Sequence, residues 1–346
     1  MIDIRSLESK EIENIAEALG ERAYRGRQIF SWLSRGASSF DEMTDLPLAF
    51  REKLAGECVI SGLEVLREQR SKDGTRKFLF GLDDGNAIET VYMEYRYGRS
   101  ICVSSQAGCR MGCSFCASGN DGLVRGLKSG EIAGQIIETQ KRCCKDGERI
   151  GHVVVMGTGE PFDNYDNVFK FVRIINSSRG LDIGMRNITI STCGIVPYIY
   201  RMAEDMPQVN LAVSLHAPPD EIRKRIMPVA NAYPMDELIA ACRAYIEKTS
   251  RRVTFEYAVT RGVNDSEENI HDLADLLSGM LCHVNLIPLN SIEKSGLQSP
   301  GRKRAEEIRD MLENRGIPAT VRRTLGSDID ASCGQLRLSH SRGSDS

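Results

Sequence analysis

Apolar residues change their period along this 346-residue chain, and each change predicts a different kind of structure. Up to about residue 60 the period is helical. Ile12, Ile15, Ala16 and Leu19 recur at three- and four-residue spacing, Ser6 is the expected N-cap, and Glu8 and Glu11 sit early enough to complement the helix dipole. Ser9 stands where a capping box wants Glu or Gln. A second helix carries Ile29, Phe30, Trp32 and Leu33. Residues 62–95 switch to period two: Arg76–Phe80, the turn Asp83-Asp84-Gly85-Asn86, then Ala87–Tyr92, which reads as a β-hairpin or short meander. Glu89 falls inside its second strand, where a carboxylate ordinarily faces water.

From residue 101 near-continuous apolar runs alternate with amphipathic stretches. Strands are predicted over 101–105, 152–156, 187–191, 210–214, 253–259 and 283–287. Helices are predicted over 129–143, 164–177, 196–205, 235–249, 266–280 and 302–314, the last with Ser299 as N-cap and Pro300 as its first residue. A short strand from Ala319 to Arg323 is placed to close an edge. Apolar runs of this kind belong to a parallel sheet covered on both faces, so the fold class is α/β. Six such units fall short of an eight-unit barrel, and a partial, open (β/α)6 barrel fits. The expected organisation is a helical domain over 1–60, a β-hairpin or meander linker over 61–95, the barrel over 96–336, and a polar, frayed tail over 337–346.

Composition narrows the function classes. A net charge of −3 and a pI near 6.1 exclude a strongly basic nucleic-acid-coating protein but leave room for a local basic patch. Arg22, Arg25, Arg27 and Arg35 face one nearby acid in sequence, Glu21, with Tyr24 and Trp32 among them. That set suits phosphate contact; a solvated helix face with an aromatic pinned into the core suits it as well. The polar amino terminus and the lack of a long apolar run predict a cytoplasmic chain with no signal peptide and no membrane span. Eleven cysteines in a reducing compartment point to metal or redox chemistry instead of a disulfide framework.

Four of those cysteines fall in the stretch CVSSQAGCRMGCSFC, from Cys102 to Cys116. Cys109, Cys113 and Cys116 form a C-x3-C-x2-C run among small residues, so a tight loop turns three thiolates toward one place. Three are one short of a closed zinc site or a fully protein-ligated iron–sulfur cluster, and no His lies nearby in sequence to complete the set. An open fourth position leaves the metal able to bind substrate; the bland alternative is a zinc loop or three unpaired thiols. Ligands of parallel α/β folds bind beyond the carboxyl ends of the strands. There the sequence places Gly157-Thr158-Gly159-Glu160, Ser191-Thr192, Ser214-Leu215-His216 and Pro288-Leu289-Asn290. Glu160 is a candidate acceptor for an ammonium group. Each cluster alone is weak, since polar residues often cap strand ends.

The cysteine run, with Phe115 beside its last cysteine, resembles the signature of the radical S-adenosylmethionine superfamily. The stretches RGRQIFSWL, AIETVYMEY, ICVSSQAGCRMGCSFCASG, VVVMGTGEPFDNYDNV, ITISTCGIVP, LAVSLHAP, IPLN and DIDASCGQL together resemble one branch of it, the dual-specificity 23S rRNA and tRNA adenine-C2 methyltransferases. Thr158 departs from that branch, which more often has Met there. The resemblance implies a partial barrel of the radical type and one 4Fe–4S cluster per chain held by Cys109, Cys113 and Cys116. It implies a site for S-adenosylmethionine, used twice per turnover, lined by Gly159, Glu160, Ser191, Ser214, Leu215, His216 and Asn290.

The same resemblance implies that Cys333 is itself methylated and that Cys102 is its partner thiol in a transient disulfide, with Glu89 a candidate proton acceptor. The substrate it implies is an adenine of 23S rRNA in the peptidyl transferase centre, and also an adenine of the tRNA anticodon loop, with the helical domain over 1–60 and its arginine cluster as the RNA-binding accessory domain. Adenine C2 is electron-poor and no nucleophile, so simple displacement cannot methylate it; a radical drawn from methylated Cys333 can add there, giving a covalent protein–RNA adduct that Cys102 then resolves. A small reducing protein such as flavodoxin or ferredoxin would supply electrons, and nothing demands more than a monomer. The sister enzymes that methylate C8 of the same rRNA adenine share the cysteines; the Gly159-Glu160-Pro161 and RGRQIFSWL stretches lean toward C2. A metal-stabilised RNA-binding protein without catalysis is the non-enzyme alternative. Cys58, Cys143, Cys144, Cys193, Cys242 and Cys282 read as small apolar fillers.

Overall fold

The computed structural model describes residues 1–119, 122–288, 296–323, 325–326 and 328–329. Three helices open the chain: α1 (Ser9–Ala18), α2 (Ala23–Ser34) and α3 (Leu48–Glu57). The N-cap of α1 is Glu8 and not Ser6, because Ser6 closes a preceding 3-10 turn and its hydroxyl donates to the Asp3 carboxylate at 2.8 Å. Glu11 then accepts from the Glu8 N–H at 2.7 Å, a job the sequence pattern left unfilled. Ile12, Ala16, Ile29, Phe30 and Leu33 bury the apolar stripe of the first two helices in the main core.

One sheet of ten strands runs through the molecule with its strands in sequence order. β1 (Glu64–Arg70), β2 (Arg76–Gly81), β3 (Ala87–Tyr95) and β4 (Gly98–Cys102) pair antiparallel. β5 (Ile150–Val155), β6 (Ile188–Thr192), β7 (Asn210–Ser214), β8 (Val253–Val259), β9 (Cys282–Pro288) and β10 (Ala319–Val321) continue from β4 in parallel. The meander is thus the antiparallel end of the barrel sheet, joined to it through the β3–β4 pairing of Val91 with Cys102. Six parallel strands plus the short edge strand make the partial barrel that the apolar runs imply.

The strands are covered by α4 (Ser129–Cys143), α5 (Tyr165–Asn176), α6 (Val196–Asp205), α7 (Asp220–Ile226), α8 (Met235–Thr249), α9 (Glu267–Leu277) and α10 (Arg302–Asn314). Helix α7 escapes the sequence pattern, being two turns long and mostly charged. The N-cap of α10 is Gly301, at φ +89°, while the Ser299 hydroxyl only accepts the Gly301 N–H at 3.2 Å. The amino-terminal helices dock on the barrel through Lys170 to Glu11 and Arg173 to Glu8, both at 2.8 Å. No described helix is long and apolar enough to cross a membrane.

Candidate active site

The carboxyl ends of β4 to β9 open into one cavity of about 370 Å³. It gathers Cys102, Cys109, Cys113, Cys116, Gly159, Glu160, Ser191, Ser214 and His216, all singled out by the sequence. The cause lies in the β4–β5 pairing, which continues past the strand ends. The Gly157 N–H donates to the Val103 carbonyl at 3.0 Å, and the Thr158 carbonyl accepts from the N–H groups of Ser105 and Gln106 at 2.9 and 3.1 Å. This zipper lays the Gly157–Glu160 loop directly against the start of the cysteine loop. Gly159 sits at φ +109°, where a Cβ would stand 2.6 Å from Gln106 Cβ, so only glycine permits the approach.

The cysteine loop is closed at both ends. Gly108, at φ +81°, has its would-be Cβ position 2.1 Å from the Gly122 carbonyl, and that carbonyl accepts the Cys109 N–H at 2.9 Å. Within the loop the Cys116 N–H donates to the Cys113 carbonyl at 3.1 Å, and the Ser114 N–H donates to the Ile226 carbonyl of α7 at 3.0 Å. Burial pushes the Cys109 thiol up to about 11, with ionised Cys116, Glu160 and Asp163 adding to it; burial raises Cys113 too, and Cys116 and Cys109 reinforce that rise. Cys109, Cys113 and Cys116 all line the cavity, and three soft thiols on one short, closed loop form a donor set that a cationic centre would hold charged. The set and the adjoining cavity therefore fit an iron–sulfur cluster ligated on one side only.

Beside the thiols stands Glu160. Its Oε2 accepts from the Cys193 N–H at 2.7 Å and its Oε1 from the Phe162 N–H at 3.0 Å, so the carboxylate is fixed in place with acceptor capacity left toward the cavity. Burial raises its pKa, and these hydrogen bonds oppose the rise. His216 adopts φ +58°, a left-handed conformation uncommon outside glycine. The strain is held by Asn264 Nδ2, which donates to the His216 carbonyl at 2.6 Å, and by the Ala258 N–H, which donates to His216 Nδ1 at 2.9 Å. That last bond leaves the ring proton on Nε2. Burial, helped by the Arg223 cation, lowers the imidazole to about 3 and keeps it neutral. Phe115 meets the ring edge-on at 4.6 Å, tying the cysteine loop to the end of β7.

Two family models match the chain: the Radical SAM superfamily over residues 103–274, and the Ribosomal RNA large subunit methyltransferase N-terminal domain over residues 2–60. A protein of Alkaliphilus oremlandii described as a probable dual-specificity RNA methyltransferase RlmN is 50% identical over 340 residues, covering 98% of each chain. A protein of Clostridioides difficile with the same description is 50% identical over 337 residues, 97% of each. The chain belongs to the RlmN family. A crystal structure of a radical SAM methyltransferase from Sphaerobacter thermophilus superposes with a TM-score of 0.93 at 46% identity, covering 97% of this chain and 99% of that one. The family implies a 4Fe–4S cluster and S-adenosylmethionine.

Some RlmN-type residues stand apart from the cavity. Leu215 is fully buried behind its wall, with its carbonyl accepting from Arg223 Nε at 3.3 Å. Glu89 is not on a wet face: it is buried and ion-paired at 3.1 Å with Lys77, which is also buried. The strand alternation does place Glu89 on the face of β3 that carries Val91, Met93 and Tyr95, which line the cavity. Asn290 and Cys333 lie outside the described residues. Leu325, on the segment leading to Cys333, packs with Val91, Met93 and Cys102. That segment is anchored by the Gly326 N–H donating to Asp73 at 2.9 Å and by the Ser71 hydroxyl donating to Asp328. No disulfide joins any two of the described cysteines; the expected Cys102–Cys333 bond lies outside the described residues.

The amino-terminal arginines are less available than their spacing suggested. Arg27 lies 3.7 Å from Glu13, and Arg25 lies 4.0 Å from Glu21 while donating to Gln28 and to the Asp45 carbonyl. Arg35 stacks on Trp32 at 4.3 Å, and Trp32 donates to Asp45 at 2.6 Å. Glu13 and Asp45 come from outside the sequence window that held the four arginines.

The sequence reading took Cys193 for a small apolar filler and passed over Glu256 and Arg223. Cys193 and Glu256 line the cavity, and Glu256 accepts from Asn285 at 2.8 Å. Burial raises Glu256, with the Arg322 cation opposing. A lone acid in the apolar run Val253–Val259 was the available signal. Arg223, fully buried, donates through Nη2 to the Cys193 carbonyl at 2.7 Å, bracing the end of β6 against that of β7.

Proposed function

We propose that this chain methylates C2 of an adenine in the peptidyl transferase centre of 23S rRNA, and of an adenine in the tRNA anticodon loop, through a methylated cysteine and a covalent protein–RNA adduct. The observation that carries this reading is the single cavity in which Cys109, Cys113 and Cys116 adjoin both Cys102 and the Glu160–His216 wall. Cys109, Cys113 and Cys116 would hold the cluster, leaving one iron open. When bound, the cluster supplies the electron that splits S-adenosylmethionine.

The remaining work falls to the chain's own residues. Glu160 presents a fixed carboxylate to the methionine ammonium, and Gly159 lets the ligand lie against backbone. Ser191, Ser214 and neutral His216 offer polar contacts along the same wall, with Leu215 behind them and Asn290 beyond β9. Cys333 accepts the methyl group on its thiolate and carries it to the base. The radical adduct then gives up one electron to a one-electron acceptor of the iron–sulfur class and loses its C2 proton, for which Glu89, on the strand face that runs into the cavity, is the proposed acceptor. Breaking a buried ion pair such as Lys77–Glu89 costs about 3–5 kcal/mol, so Glu89→Gln informs on proton transfer only with a stability measurement beside it. Cys102 resolves the adduct by attacking the Cys333 sulfur. The proposed setting is a cytoplasmic monomer, one cluster per chain, two S-adenosylmethionine molecules per turnover, and flavodoxin or ferredoxin as electron source. The proposed units are the helical region 1–60, the meander 61–95, the barrel 96–336 and the tail 337–346.

The test is nucleoside mass spectrometry of unmodified 23S rRNA after anaerobic reaction with reconstituted protein, S-adenosylmethionine and reductant. The expected product is 2-methyladenosine with the native protein and none with Cys333→Ala. Detection of 8-methyladenosine would assign the chain to the sister activity; S-adenosylmethionine cleavage without any methylated adenine would remove RNA as substrate.

A further inference from the structure

Next to Tyr95, which lines the cavity, β3 turns into β4 through Arg96 and Tyr97 at the amino end of β4. Tyr97 is 68% exposed, yet its position is defined. Its ring stacks on Tyr95 with centroids 4.9 Å apart and planes 9° apart, and His152 meets it edge-on at 5.3 Å. Tyr95 belongs to the cavity wall, so the stack leads from inside the cavity to solvent. On the same wall stand Arg322 and Arg323, both exposed. Both cations act on Tyr95 electrostatically, and Arg322 also acts on the Glu256 carboxyl. An isolated exposed tyrosine needs no explanation. An aromatic stack continuous with a cavity and flanked by two exposed guanidinium groups is a different matter, because it pairs a π-face with phosphate-seeking charge.

We propose that Tyr97, backed by Tyr95, is a stacking platform for a nucleobase next to the target adenine in single-stranded RNA, with Arg322 and Arg323 holding the intervening phosphate. The inference rests on the RNA-methyltransferase reading and names where the RNA strand sits as the target base leaves its stack. Recognition of unpaired RNA relies on such aromatic platforms, since every base has a π-face to offer. A base that enters the cavity alone must part from its neighbour, and Tyr97 replaces the lost stacking partner. Of the amino-terminal arginines, Arg25 and Arg27 are engaged with Glu21, Asp45 and Glu13, whereas Arg322 and Arg323 adjoin the cavity itself.

The experiment uses the full-length reconstituted protein and a fluorescently labelled RNA oligonucleotide bearing the target adenine, with single abasic sites scanned along its neighbours. Tyr97→Ala is expected to weaken binding about tenfold, the scale of one lost stacking contact. Tyr97→Phe should restore it, and the salt dependence should stay as in the native protein because no phosphate contact is lost. Arg323→Gln should instead shallow the salt dependence by about one counterion. At one neighbouring position an abasic site should weaken native binding and leave Tyr97→Ala binding unchanged. Equal affinities of the native protein and Tyr97→Ala, together with native methylation activity, overturn this inference alone. A native protein that neither binds nor methylates RNA overturns this inference and the function it rests on together.

Discussion

Anaerobically purified and reconstituted Cys113→Ala protein is expected to be colourless and nearly free of iron and sulfide, with S-adenosylmethionine cleavage at background. Cys193→Ala should keep the brown colour and most of the iron. Cys193 is buried in a small apolar cluster and the half-buried Cys113 packs against that same cluster, so loss of packing alone would cost at least as much at Cys193 as at Cys113. They differ in place: Cys113 sits in the loop closed by the Gly122 and Ile226 carbonyls, whereas Cys193 follows β6 and serves Glu160 through its backbone N–H, which alanine retains. Two thiolates cannot hold a cluster that already lacks a fourth protein ligand, so the effect of the first substitution is close to complete. Iron, sulfide and visible absorption measure it; equal iron content in the two variants would contradict the ligand assignment.

Cys102→Ala is expected to bind its cluster and cleave S-adenosylmethionine once, yet accumulate a covalent protein–RNA band on denaturing gels, with methylated product falling by orders of magnitude. Cys102 closes β4 opposite Val91, is almost fully buried, and lies in the apolar patch against which Leu325 packs. In the proposed resolution, the Cys102 thiolate bonds to the Cys333 sulfur, the sulfur–carbon bond breaks, and its electron pair stays with the carbon, which takes a proton. Alanine removes the only step that frees the RNA and leaves the earlier ones intact. The protein leaves this step as a disulfide, and an added thiol reductant returns it for the next turnover. An adduct-free Cys102→Ala protein with normal product yield would contradict the role given to Cys102.

Much of this site could be read from the chain because its determinants are local. The C-x3-C-x2-C spacing, the glycines before Glu160 and the polar residues ending each apolar run are all set within a few positions, and the parallel strand order brings their ends together. What escaped depends on residues distant in sequence. Glu89 looked like a wet-face carboxylate because nothing in β3 announces Lys77 across the sheet. Arg25 and Arg27 looked free because Asp45 and Glu13 reach them only through tertiary packing. Ser6 lost the N-cap to Glu8 because Asp3 claimed its hydroxyl first. Arg223 sits on a short charged helix that reads as surface, while its guanidinium serves carbonyls at two strand ends.

The central claim is that the methyl carbon reaches adenine through Cys333 and not directly from S-adenosylmethionine. Reaction with S-adenosylmethionine bearing a fully deuterated methyl group tests it, read as the mass of the methyladenosine released from 23S rRNA. Because one methyl hydrogen is removed before the carbon joins C2 and is replaced from solvent, the account predicts a product carrying two deuterium atoms. A product carrying all three would mean direct transfer and would contradict it.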